Sequence, residues 1–144
     1  MTNKCRIFLS SVLLFLSFFI IACTSNSQKM YDYYSVESNF IKVHGIVEEI
    51  NLQDGILYLN INFDDSTFPN DGDNTFKIIQ SNQSILSEND FYDQVNVGDT
   101  IDFYSAPRIF GDGYIVPIIC IEKDGAIYLP FATGLSNLLI WCTS

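Results

Sequence analysis

Apolar and polar residues alternate through the middle of the chain, and the alternation predicts strands. Leu57, Leu59, Ile61 and Phe63 take one parity while Tyr58, Asn60 and Asn62 take the other, the pattern of a half-buried strand. Upstream, over residues 40–50, Ile41, Val43 and Val47 share one parity and Ile46 and Ile50 the other. That change of facing predicts a long first strand with a bulge or bend near Gly45. Asp54-Gly55 between these runs is a two-residue hairpin signal. Phe76 and Ile78 predict a short third strand, and Ile101 with Phe103 a fourth, entered through the turn Val97-Gly98-Asp99. Residues 114–122 are almost continuously apolar, which predicts a fifth strand buried on both faces. Pro117 places part of it at an edge or bulge, because proline donates no ladder hydrogen bond. A second Asp-Gly pair, Asp124-Gly125, turns the chain into Ala126–Leu129.

Helical periodicity occurs in two places. Ser87 with Asp90 three residues on reads as a capping serine, and Phe91, Tyr92 and Val95 as the face of a short helix. Near the end, Leu135, Leu138, Leu139 and Cys142 fall at i, i+3, i+4 and i+7 and form one apolar stripe. Tyr31, Tyr33 and Tyr34 cluster ahead of the first strand and read as a lead-in that packs against the sheet and covers an edge. The predicted class is mainly β. Three strands, a short helix and two further strands, over residues 40–122, resemble the order of an OB-fold, a small five-stranded Greek-key barrel. The sixth strand and terminal helix would be additions, and a small open β-sandwich is the alternative.

The first 22 residues have a different character. Lys4 and Arg6 precede a 16-residue apolar stretch from Ile7 to Ala22, interrupted by Ser10, Ser11 and Ser17. A bilayer-spanning helix needs about 20 apolar residues, so this stretch is short for a permanent span and suits an export signal. An anchor that is never cut is the other reading. Ile20-Ile21-Ala22-Cys23 resembles the lipobox of bacterial lipoproteins, and the predicted build is similar to such lipoproteins. The resemblance implies cleavage after Ala22, covalent diacylglycerol on Cys23, and export to the outer face of the bacterial cell membrane or to a periplasm-facing membrane. Ile21 departs mildly from the small residue usual at that position. Residues 23–35 are then the lipidated cysteine and a tether, with Thr-Ser-Asn-Ser-Gln as a small polar spacer, and residues 36–144 the OB-like domain.

Composition sharpens this picture. The chain is 48% hydrophobic and 15% aromatic, too apolar for a disordered acidic protein, and its 144 residues suit one domain. Removing the leader leaves 122 residues and takes away two basic groups and no acidic ones, so the net charge moves from -10 to -12. A surface this acidic argues against nucleic acid, whose phosphates are bound by cationic side chains. It is also repelled by anionic headgroups, so attachment to the membrane falls to the lipid anchor.

Candidate chemistry is sparse. His44 is the one histidine, and a hydrolytic or transfer enzyme would have to use it or a carboxylate pair. Cys120 and Cys142 either form a disulfide, which export permits, or stay as buried thiols. Asp64, Asp65, Asn70, Asp71, Asp73 and Asn74 make an oxygen-rich loop in which Asp71 and Asp73 are weak Ca²⁺ candidates; Pro69 or Phe76 stands where an EF-hand needs glycine. Arg108 with Phe110 could form a contact point, and Tyr58 with Asn60 and Asn62 is either an aromatic-and-amide row facing a sugar or peptide or the ordinary polar face of a half-buried strand, the latter being the plainer reading. No cofactor is implied. The expectation is a non-catalytic binding or envelope-associated accessory module with a protein, peptide or carbohydrate ligand. A calcium-stabilised adhesion or structural module is the alternative.

Overall fold

The computed structural model describes residues 26–64, 74–108, 110 and 116–144. In chain order these form α1 (Asn26–Tyr34), a 3₁₀ turn (Glu37–Asn39), β1 (Ile41–Gln53), β2 (Ile56–Phe63), β3 (Thr75–Ile78), α2 (Gln80–Glu88), α3 (Phe91–Gln94), β4 (Thr100–Ser105), β5 (Val116–Lys123), β6 (Ala126–Leu129) and α4 (Phe131–Thr143). Antiparallel pairing runs β3–β2–β1–β4–β5, and β5 returns to β3 in parallel, with Phe76 opposite Val116 and Lys77 opposite Pro117. That last pairing closes a five-stranded mixed barrel, with β6 outside the ring on β5. The architecture is OB-like, and closure sets aside the open sandwich.

Local chemistry accounts for the elements. Asp54 and Gly55 have φ of 52° and 77°, and Asp124 and Gly125 of 53° and 82°. Two successive positive φ values are what a two-residue hairpin following the strand twist requires, and Asp-Gly supplies them cheaply. On β2 the alternation holds: Leu57, Leu59, Ile61 and Phe63 are buried. They meet Val43, Val47, Phe76, Ile78, Ile101 and Phe103 in the barrel interior, where the Phe76 and Phe103 rings stand 4.8 Å apart, edge to face. Leu86 from α2 with Phe91 and Val95 complete this core. β5 is buried on both faces from Val116 to Ile121, because α4 covers its outer side with Leu135, Leu138 and Cys142.

Among the described residues three bulges set the facing of side chains. Register shifts place one extra residue at Glu48 on β1, at Ile119 on β5 and at Tyr128 on β6. The bulge expected at Gly45 is therefore three residues further on. Gly45 has a different cause: a Cβ there would lie 2.5 Å from Ile61 Cγ2 and 2.9 Å from the Asn62 carbonyl oxygen, so β2 crosses too close for a side chain. Ile46 consequently points outward and is exposed. Pro117 does sit beside a bulge, where its carbonyl accepts a 2.7 Å hydrogen bond from the buried Ser105 hydroxyl.

Two further segments differ from expectation. Ser87 caps nothing, since α2 already runs from Gln80 to Glu88, and α3 starts after Asp90 in the left-handed region at φ 59°. The polar run Ser81–Ser84 hides this helix; its Asn82 is fully buried because its amide donates to the Gly134 carbonyl at 3.3 Å and accepts from Asn137 at 2.9 Å. The described part of the expected tether is likewise helical. α1 packs along α4, with Tyr34 buried beside Phe40 and Phe110, so the tyrosine cluster covers the helix layer and not a sheet edge.

Candidate functional site

The Glu48 bulge builds a concave feature on the outer wall. Upstream of it, Lys42, His44 and Ile46 point outward; downstream, the extra residue turns Glu49, Asn51 and Gln53 outward as well. Pairing sets Asn51 opposite Tyr58 and Glu49 opposite Asn60 on β2, with Asn60 opposite Thr75 on β3. These six side chains line a depression of about 420 Å³. It presents one phenol ring, three amides, a hydroxyl and a carboxylate. The Asn60 side-chain oxygen is buried, with no hydrogen-bond partner among the described residues. Tyr58 and Asn60, singled out from β2 alone, thus share a site, while Asn62 stands beyond it opposite Ile46. Glu49, Asn51 and Gln53 gave no signal beyond polarity; their common facing depends on the bulge.

A second cluster occupies the neighbouring face. His44, Asp102 and Glu122 form one row across β1, β4 and β5, and Lys42, Tyr104 and Cys120 the next. His44 Nδ1 lies 2.7 Å from Asp102 Oδ1, and Lys42 Nζ reaches Asp102 at 3.0 Å and Glu122 at 3.1 Å. The His44 hydrogen bond first, then Lys42, holds the Asp102 carboxyl below its ordinary value. The same carboxylates raise Lys42. His44 is 75% exposed on a plain strand face. Cys120 is two strands away, about 10 Å at ordinary strand spacing, and burial pushes its thiol up to about 11. This is an exposed ion-pair network without a nucleophile poised against an imidazole.

The structure separates the two cysteines. Both are free and buried. Cys120 borders Phe131 at the start of α4, whereas Cys142 is in its last turn. Eleven helical residues span about 16 Å at 1.5 Å each, more than twice a disulfide's Cα separation. Of the two alternatives the structure has the buried thiols, and burial raises Cys142 to about 11 also. Arg108 is exposed but lies against rings of its own chain, its guanidinium 5.4 Å from the Tyr33 ring and 4.8 Å from Phe110, linking α1 to the segment after β4. Cys23, Asp71 and Asp73 lie outside the described residues.

Among the described residues no group of three or more His, Cys, Asp or Glu side chains is placed to hold a metal, and no helix is long and apolar enough to cross a membrane. Comparisons of the chain with protein-family models, with curated proteins and with solved structures find no significant match.

Proposed function

We propose that this chain is an exported lipoprotein, held by lipid on Cys23 at the outer face of a bacterial membrane, whose OB-like barrel binds carbohydrate in the Tyr58–Asn60 depression. The observation that carries the ligand class is the lining itself. Sugar hydroxyls are both donors and acceptors, which matches the amides of Asn51, Gln53 and Asn60, while Tyr58 offers an apolar ring face to the C–H face of a pyranose. Glu49 and the acidic surface disfavour a polyanionic ligand. The anchor reading rests on the Ile20-Ile21-Ala22-Cys23 motif behind its basic and apolar leader. The barrel acts by binding and not by turnover.

Titration calorimetry of the purified lipidated protein against a panel of neutral oligosaccharides tests the ligand. Binding is expected for at least one, with loss of about tenfold or more in affinity in Tyr58→Ala and in Asn60→Ala, each removing about 1.4 kcal/mol or more. Asn62→Ala, on the same strand beyond the depression, should bind as before. Absence of binding across the panel, or binding indifferent to Tyr58→Ala, overturns the assignment.

A further inference from the structure

The membrane-proximal edge of the domain follows from where α1 starts. Asn26 is three residues after Cys23, a reach of about 10 Å at full extension. Whether the chain is held by lipid on Cys23 or by an uncut apolar segment ending at Ala22, the bilayer surface is within that distance of Asn26. The last turn of α4 stands beside this point: Ser27, Gln28 and Tyr31 share a surface recess with Cys142, Thr143 and Ser144. On the same turn Ile140 is 64% and Trp141 43% exposed, and neither belongs to a core cluster. The Lys77 ammonium sits 5.3 Å from the centre of the Trp141 ring. Tryptophan with lysine at its side is the pairing that settles at the headgroup level, ring in the acyl boundary and charge in water. Asp54 lines the same recess as Lys77, Ile140 and Trp141, so the local charge balances and the edge fits a zwitterionic surface better than an anionic one.

We infer that Ile140 and Trp141 form a second, interfacial contact with the lipid surface, which fixes the orientation of the barrel on its anchor. The inference rests on the anchoring proposed above, and its test separates the two. The contact stops the domain from rotating freely about Cys23 and holds the Tyr58 depression, whose Tyr58 is directly opposite Lys77 in the β2–β3 pairing, at a set height over the bilayer.

Trp141 is the only tryptophan, so its fluorescence reports one site. The full chain, expressed and processed with its lipid, is reconstituted into phosphatidylcholine vesicles carrying bromines near the headgroup end of the acyl chains. The expected result is co-sedimentation, a blue-shifted Trp141 emission relative to detergent-free monomer, and stronger quenching by shallow than by deep bromines. Ile140→Asp, at an exposed position, should co-sediment equally but lose the shift and the quenching. Co-sedimentation without quenching, or quenching unchanged by Ile140→Asp, overturns the second contact while leaving the anchor in place. Failure to co-sediment overturns both.

Discussion

Gly134 faces two opposing effects, and the structure decides between them. It lies inside α4, where replacing glycine by alanine removes backbone freedom from the unfolded chain and favours the helix by about 1 kcal/mol. Against this, a Cβ at 134 would fall 2.7 Å from the carbonyl carbon of Ile119 and 3.0 Å from its Cα, and inside contact distance of its oxygen. Ile119 is the extra residue of the β5 bulge, between fully buried Ile118 and Ile121, so the strand has nowhere to retreat. Relief requires α4 to back away by about 1 Å, which forfeits a quarter to a half of the dispersion energy at each contact of Leu135 and Leu138. It also stretches the 3.3 Å hydrogen bond from Asn82 to the Gly134 carbonyl. Overpacking of this kind costs about 3 kcal/mol, the upper part of its usual range, because backbone and not a side chain is struck. The net expectation for Gly134→Ala is a loss of about 2 kcal/mol, or about 8 °C in Tm for a domain of this size. Urea and thermal unfolding followed by Trp141 emission measure it. Ser136→Ala, on the exposed side of the same helix, controls for propensity and should not destabilise. A Gly134→Ala protein as stable as the parent, or more so, would show that α4 is not seated on the Ile119 carbonyl.

Three further outcomes follow from the same geometry. Burial holds the Cys120 and Cys142 thiols near 11 against an ordinary 9.0, so the stability they contribute is complete below about pH 9 and declines as pH rises toward 11; at neutral pH both should resist a thiol reagent until the fold is opened, and rapid reaction of native protein would contradict their burial. Asp102 is depressed below 3.8, so its contribution is present above that pH and fades as pH falls through the lower folded value; carboxyl NMR titration should show His44→Ala returning Asp102 toward 3.8, and an unchanged midpoint would remove the hydrogen bond as the main cause. Cys23→Ala should leave the precursor unprocessed and without metabolically incorporated fatty acid, whereas normal processing and labelling would refute the lipobox reading.

Much of the barrel was legible because its signals are local. Parity along β2, two Asp-Gly pairs with nothing to clash at positive φ, and a four-residue apolar stripe on α4 each depend on residues within a few positions of one another. Local pattern misled where a distant group supplied the missing partner. Asn82 looks like a loop residue until Gly134 and Asn137, more than fifty positions away, satisfy its amide inside the core. Gly45 looks like a bulge until β2 is seen to cross it.

The chain by itself determined the class, the strands and their inward faces, the acidic surface and the leader motif, since hydrophobic burial and turn sterics act over short spans. Only tertiary structure decided that β3 meets β5 in parallel and shuts the ring, that Cys120 and Cys142 are held a helix length apart, and that one extra residue at Glu48 turns Glu49, Asn51 and Gln53 toward Tyr58 and Asn60. A one-residue shift reverses the facing of every residue beyond it, and what fixes that shift is the pairing of β1 with strands far along the chain.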